Sequence, residues 1–177
     1  MITLRNRLLA PLANLEPLLP LLARLIFAAT LAGYFWASAL TKLGPSPWQP
    51  STGAYAQILP RLFERVGYDA SQLSPPQHLL VISGTWAEFL LPALLLIGLY
   101  TRAAALGMIG FIFVQTLTDL FGHGALSQPE TLGAWFDRAP DSLILDQRAF
   151  WLLLLSILVI KGAGAASVDA WLTRRLP

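Results

Sequence analysis

Four long apolar runs divide this chain, and they limit the folds open to it more than any other feature. The runs cover about residues 21–40, 78–99, 103–121 and 149–166. Each approaches the roughly 20 residues that a helix needs to cross a bilayer. Backbone groups in lipid must pair within their own segment, so such runs form helices and not separate strands. The sequence therefore predicts an all-α integral membrane four-helix bundle, a single domain over residues 1–177.

The composition supports a membrane protein and excludes several other classes. Hydrophobic residues make up 55% of the chain and charged residues 12%, about half the charged fraction of an average soluble domain. The basic residues are scattered at segment ends and form no stripe, so we expect no nucleic-acid partner. The chain has no cysteine, which excludes a thiol redox centre, a cysteine-ligated cluster and a disulfide within it.

The beginning of the chain, MITLRNRLLAPLANL, is basic and then apolar, like a secretory signal peptide, and ASA at 37–39 resembles a cleavage site. The long apolar run, however, comes only after Pro11, Pro17 and Pro20, and its length suits a full span. We therefore expect an uncleaved first helix.

The distribution of charge predicts the orientation. An even number of spans puts both termini on one face, which then carries seven basic residues against two acidic ones, whereas the opposite face carries five against seven. Lysine and arginine accumulate on the cytoplasmic side of membrane proteins. We therefore predict cytoplasmic termini and two long outer loops, in a bacterial inner membrane protein.

The two long loops carry helical patterns of their own. In the first, apolar residues recur at helical spacing over 55–66, with Arg61, Glu64 and Arg65 on the other face. This predicts a short helix on the outer membrane surface. In the second, Ser127, Pro129 and Glu130 form a helix start.

The first span carries small residues four apart. Ala29, Gly33 and Ala37 share one narrow face, and small residues allow membrane helices to approach closely. We expect this face to pack inside the bundle.

Glu88 lies ten residues into the second run, near the middle of the bilayer. An ionised acid at that depth costs about 2.5–3.5 kcal/mol to insert, so its side chain should face the bundle interior. Two interpretations remain open. The carboxyl is either a structural group bonded to a neighbouring helix, or a group that handles protons or contacts a ligand.

A second polar group closes the third run. Gln115, Asp119 and His123 are four apart and share a face if the helix reaches His123, where Asp119 would orient the imidazole. The alternative is a pair of solvated residues at a helix end. A single histidine makes no metal site, and we predict none. The predicted outer pocket is ringed by residues from three spans, with Glu88 beneath: Lys42, Asp119, His123, Asp146 and Arg148.

Arg24 lies one turn inside the first run, at the other end of the bundle. Its long side chain could reach lipid phosphates or pair with a carboxylate. We expect the lipid interface.

The order of these residues resembles the DoxX family. The first run, LARLIFAATLAGYFWASALTKL, has an arginine near its start and a lysine–leucine at its end. The hairpin AEFLLPALLLIGLYTRAAAL follows the intramembrane glutamate with a leucine-rich run and a Gly–Leu–x–Thr–Arg turn. The tail from residue 119 to 172 is similar to a DoxX branch associated with iron oxidases that mature copper-binding peptides.

The resemblance implies an accessory membrane protein that assists a redox or peptide-maturation partner. Other members of the family resemble small membrane subunits of a thiosulfate:quinone oxidoreductase, which makes quinone the cofactor to consider. A carrier for a small solute or metal ion is an alternative, and because four helices are few for alternating access it would need a homodimer. A purely structural bundle is the other alternative. Whether the chain is a catalytic or a non-catalytic subunit stays open.

Overall fold

The computed structural model describes residues 14–175 and places four membrane-length helices in that range. Most of the described residues lie in long apolar helices. Two short antiparallel strands joined by a two-residue turn form the only sheet among the described residues. The elements in chain order are α1 Glu16–Lys42, β1 Leu43–Ser46, β2 Gln49–Pro50, α2 Thr52–Ile58, α3 Pro60–Arg65, α4 Pro75–Ile97, α5 Thr101–Gly122, α6 Pro129–Leu132, α7 Leu143–Lys161 and α8 Val168–Arg175.

The predicted all-α membrane bundle is confirmed. The spans α1, α4, α5 and α7 are all long and apolar enough to cross a bilayer. The inner end, where α1 begins and α7 ends, is held together by an ion pair between Glu16 and Lys161. The outer end carries the two long loops. These two names follow the predicted orientation, which remains a prediction. Arg5 and Arg7, used to derive it, lie outside the described residues, as does most of the stretch that resembles a signal peptide.

The inner end of the fourth span was predicted wrongly. The run to residue 166 is apolar, but α7 ends at Lys161 and the chain turns before entering α8. Gly162 and Gly164 take φ values of 78° and 76°, a left-handed conformation that ends a right-handed helix and favours glycine. The short helix α8 therefore folds back across the inner end.

The core lies where all four spans meet. Fully buried side chains come from each span: Phe27 and Phe35 from α1, Leu95 from α4, Met108 from α5 and Leu155 from α7. α1 packs against α4 and α7, while α5 packs against the same two helices from the other side. The bundle is therefore a four-sided arrangement in which α1 and α5 face each other across the centre.

The amphipathic segment of the first loop forms helices as predicted, but its apolar face meets protein and not lipid. Phe63 and Tyr55 are buried in a second cluster against Val81 of α4. The segment also divides into α2 and α3 at Leu59, because Pro60 disfavours helical geometry in the residue before it. These two helices cover the outer end of the bundle. In the second loop, the helix start predicted around Ser127, Pro129 and Glu130 is found: α6 begins at Pro129, with Gln128 as its N-cap residue.

The expectation for the small-residue face of α1 is also wrong. Ala29, Gly33 and Ala37 are all exposed, and a Cβ added to Gly33 would meet nothing within 4 Å. The larger side chains on the opposite face of α1 fill the core instead. The small face is therefore turned outward, toward lipid.

Arg24 joins three segments at the inner end. The prediction that its side chain reaches the lipid interface is wrong. Its Nε donates to the carbonyl of Leu95 at 2.9 Å and its Nη2 to that of Leu96 at 2.5 Å, at the end of α4. Its Nη1 donates to Ala163 at 3.1 Å and Ala166 at 2.6 Å, between α7 and α8. The last carbonyls of a helix lack helical partners, and in lipid there is little water to supply them. A fork of guanidinium donors suits that need.

The turn between α4 and α5 is built closely around this arginine. Gly98 has φ 68°, and a Cβ there would lie 2.6 Å from the Ser167 side chain and 2.9 Å from the Arg24 guanidinium carbon. Only glycine fits. Asp169 of α8 completes the turn by accepting from the backbone N–H groups of Tyr100 at 2.8 Å and Thr101 at 3.0 Å. These bonds cap the start of α5.

We expect Arg24→Met to be strongly destabilising. The substitution removes the side-chain donor from four carbonyls and leaves those of Leu96, Ala163 and Ala166 without it. At about 1–3 kcal/mol for each unsatisfied group, the free energy of unfolding should fall by at least about 3 kcal/mol. Denaturant unfolding in detergent micelles measures it. Arg102→Gln, at an exposed arginine of the same end, is the matched control. Equal stability of the two variants would contradict the structural role of Arg24.

Asp169 should make the inner end sensitive to acid. Although burial acts to raise the pKa of Asp169, hydrogen bonds from Thr101 and Tyr100 and the charge of Arg24 outweigh it and lower the pKa below the usual 3.8. A carboxyl with a lowered pKa in the folded state stabilises the fold at higher pH, and this contribution is lost as pH falls through that pKa. We expect the melting temperature to decline below about pH 4, and Asp169→Asn to flatten that decline. Asp141→Asn, in an outer loop, should leave it unchanged.

Candidate functional site

A cleft of about 530 Å³ opens in the outer half of the bundle. α4 and α5 form its two walls, α1 lies at its back, and α2 covers its outer end. Its lining is apolar along the walls and polar toward α1 and the outer end; the polar side chains are Tyr34, Ser38, Lys42, Gln57, Ser83, Glu88, Gln115, Thr118, Asp119 and His123.

Glycines make room for the cleft in both walls. Gly84 lies in α4, and Gly107 and Gly110 lie in α5. At Gly107 a Cβ would come within 3.0 Å of Leu91, so the helices touch there, whereas at Gly110 it would meet nothing within 4 Å. The walls therefore separate outward from Gly107. Leu80 and Val114 line the cleft and are also exposed, so its mouth faces the lipid between α4 and α5.

Glu88 faces the bundle interior, as predicted, and its partner is Lys42 at the end of α1. Lys42 Nζ lies 3.0 Å from Oε1 and 2.9 Å from Oε2 of Glu88. The two residues are only 3% and 5% exposed. The third donor hydrogen of Lys42 goes to Ser38 Oγ at 2.6 Å. Both residues were predicted to belong to one pocket, but their ion pair was not predicted.

Asp119 pairs with Arg148 and not with His123. Arg148, at 2% exposed, bonds Asp119 through Nη2 and donates from Nη1 to Thr116 Oγ1 at 2.7 Å. α5 passes into a π-helical turn over Thr118–Gly122, so the regular spacing that would have put His123 above Asp119 is lost. The expected Asp–His pair is therefore wrong, and a second ion pair between α5 and α7 stands in its place.

His123 and Gln115 contact other elements at the cleft. His123 Nε2 lies 3.1 Å from the carbonyl oxygen of Gln57 in α2. Because that oxygen can only accept, Nε2 carries the hydrogen. Gln115 Nε2 donates to Tyr34 Oη at 3.1 Å, between α5 and α1. Both residues line the cleft, as expected for a shared polar site.

Two predicted pocket residues lie elsewhere. Asp146 accepts from the backbone and hydroxyl of Ser142 at 3.1 and 2.7 Å, at the start of α7, where it orders the helix end and does not line the cleft. Arg148 does not line the cleft either and reaches it only through Asp119.

Several residues of the site were not predicted from the sequence. Tyr34, Ser38, Gln57 and Thr118 line the cleft but were not singled out. A signal was available for Ser38, which lies one helical turn before Lys42 and so on the same face of α1. No such signal was available for Gln57, because its position depends on how α2 folds over the bundle.

The fold and the cleft together define a small multi-pass membrane protein, a four-helix bundle with a polar site that opens toward lipid. The DoxX family model matches residues 19–124, more than half of the 177 residues. The chain belongs to the DoxX family. The match covers α1, α4 and α5, which supply nearly all of the cleft lining. Comparison with curated proteins and with solved structures gives no significant match.

Removing one partner of the Lys42–Glu88 pair should lower the free energy of unfolding more than replacing both partners with apolar residues. Removing one partner of a buried ion pair typically costs about 3–5 kcal/mol, because the other charge stays buried without compensation. We expect losses of this size in the free energy of unfolding for Lys42→Met and for Glu88→Leu.

The double variant, with both substitutions, is the control for this prediction. It leaves no orphan charge, so most of the lost stability should return, as measured by denaturant unfolding in micelles. Losses that simply add in the double variant would show that the two side chains do not act as a pair.

Proposed function

We propose that this protein is an accessory membrane subunit that binds a lipophilic small molecule of the quinone type in the cleft between α4 and α5, on behalf of a redox or peptide-maturation partner. The observation that supports this most is the lateral mouth. A site that opens between two spans at lipid-exposed Leu80 and Val114 is suited to a ligand that already resides in the bilayer.

The size and polarity of the cleft agree with such a ligand. Its volume of about 530 Å³ lies within the usual range of roughly 300–1,000 Å³ for small-molecule pockets. Apolar walls and a few polar groups at one end match a molecule with a polar ring and an apolar tail. The ring would lie near Glu88 and Gln115, and the tail would leave between the walls.

The charges in the cleft favour a neutral ligand. Glu88 is paired with Lys42, and Asp119 with Arg148. Each carboxylate therefore has a countercharge, and the site attracts cations less than two free carboxylates would. This argues against the alternative of a metal-ion carrier and supports a neutral head group. A purely structural bundle, the other alternative, would need no such cleft.

The proposal includes a partner protein outside the membrane. Trp135 and Phe136 are exposed in the loop before α7, and Phe136 is held at φ 68° with its ring free of the bundle. We propose that the outer loops contact the partner and that the system served is either quinone-linked or one that matures copper-binding peptides. The proposed setting is a bacterial inner membrane with cytoplasmic termini; a homodimer belongs to the carrier alternative.

Filling the cleft with a larger side chain should prevent ligand binding without disturbing the fold. Gly110 lines the cleft, and a Cβ there meets open space, so Gly110→Phe should fill the cleft with an aromatic ring. Gly33→Phe is the matched control, because Gly33 also meets open space but faces away from the cleft. Quinone extracted from the purified protein should be present in the wild type and in Gly33→Phe, and fall at least about tenfold in Gly110→Phe.

Two results would contradict the proposal. The first is that neither extracted quinone nor an added short-chain benzoquinone binds the wild type. The second is equal quinone content in the Gly110 and Gly33 variants at equal thermal stability, which would place any bound quinone outside the cleft.

A further inference from the structure

The hydrogen-bonding groups of the cleft are unequally used: its charged donor is occupied within the protein, whereas several of its acceptors are free. An ammonium group has three donor hydrogens and no acceptor. Lys42 directs its hydrogens to the two carboxylate oxygens of Glu88 and to Ser38. The strongest donor in the cleft is therefore committed within the protein.

Asp119 brings an acceptor that is not committed. Its Oδ2 bonds Arg148, whereas Oδ1 has no hydrogen-bond partner among residues 14–175. The Asp119 side chain is 27% exposed and lines the cleft. A carboxylate oxygen that is partly shielded from water binds a donor strongly.

His123 adds a second free acceptor. Because the Gln57 carbonyl fixes a hydrogen on Nε2, Nδ1 is the ring nitrogen left to accept a hydrogen bond, and within the described range it has no partner. The Asp119 and His123 side chains both belong to the outer part of the cleft.

Gln115 adds a third. Its Oε1 is buried and has no hydrogen-bond partner in the described part of the chain, while its Nε2 is held by Tyr34. A buried acceptor without a donor is unfavourable, so a ligand that supplies a donor beside Gln115 gains from this group. The hydroxyls of Tyr34 and Thr118 can donate or accept and fit either kind of ligand.

From this imbalance we infer that the cleft binds its ligand in a donor-bearing form: a quinol, with two hydroxyl groups, in preference to the quinone, which has only carbonyl acceptors. The inference rests on the proposed function and specifies the chemical form of its ligand. The paired charges matter here, because a neutral cleft rich in acceptors selects a neutral donor and not a cation.

Selective binding of the reduced form has a measurable consequence. A site that binds quinol more tightly than quinone raises the reduction potential of the bound couple. For a two-electron couple, a tenfold ratio of dissociation constants corresponds to about 30 mV. The protein would thus hold quinol and make it a weaker reductant than quinol free in the membrane.

The test compares two pairs of probes on the full chain in lipid nanodiscs without oxygen. Decylubiquinol and decylubiquinone differ in redox state. In the methyl ether of 4-decylphenol a methyl group replaces the single donor hydrogen, so this pair tests the donor without redox chemistry. Titration calorimetry should give a dissociation constant at least about tenfold lower for the donor in each pair. Equal affinities, or tighter binding of the quinone, would overturn the inference and leave the proposed function standing. Binding of none of the four probes would overturn both.

Substitutions at the acceptors should change selectivity more than affinity. Gln115→Leu and His123→Phe each remove one acceptor, so each should lower the quinol-to-quinone affinity ratio at least about threefold. Gln72→Leu, in an exposed segment away from the cleft, is the control and should keep the wild-type ratio. Ratios unchanged in both cleft variants would overturn the assignment of these acceptors, since a merely structural role would weaken both probes alike.

Discussion

Three buried cations bond from one span to another, and the way the four spans lie together depends on these contacts. Arg24 binds backbone carbonyls at the inner end, Lys42 binds Glu88 in the outer half, and Arg148 binds Asp119 and Thr116 nearer the outer end. A charge in hydrocarbon is costly unless it is paired. Each cation has at least one acceptor on another segment, so pairing the charge also fixes how two or three segments lie together.

The placement of these pairs explains the cleft. α1 and α4 are joined by Lys42 and Glu88, and α5 and α7 by Asp119 and Arg148. In the outer half, no ion pair among the described residues joins α4 to α5, and glycines replace larger side chains along both of their facing surfaces. The two helices therefore meet near the inner turn and separate beyond Gly107. Lys42, Glu88 and Asp119, which join the spans, thus also face the space between these helices.

The spans and the class of fold could be predicted from the sequence, because apolar length is a local property of each segment. The interior position of Glu88 also followed, since the cost of an exposed acid in lipid allows no other. The ends of elements were less accessible: α7 stops at glycines whose conformation depends on contacts with α8. The outward face of Ala29, Gly33 and Ala37 could not be inferred, because small residues suit close packing and exposure to lipid equally well.

The partners in the site were the hardest part to predict. Lys42 and Glu88 are 46 residues apart, and Arg148 and Asp119 are 29 apart, so only the packing of whole helices brings them together. Local spacing suggested Asp119 and His123 instead, and a single π-helical turn removed that pairing. Arg24 was misjudged for a similar reason, since its acceptors are backbone carbonyls, which no pattern of side chains reveals.

A mouth between α4 and α5 lowers the affinity that the cleft needs for a ligand dissolved in the membrane. Molecules that dissolve in the membrane are concentrated there far above their level in water, and they approach the cleft by diffusion in two dimensions. Modest intrinsic affinity is then enough for high occupancy, and release returns the molecule to the same reservoir. The abundance of such molecules in the leaflet, more than their concentration in the surrounding solution, would determine how often the cleft is filled.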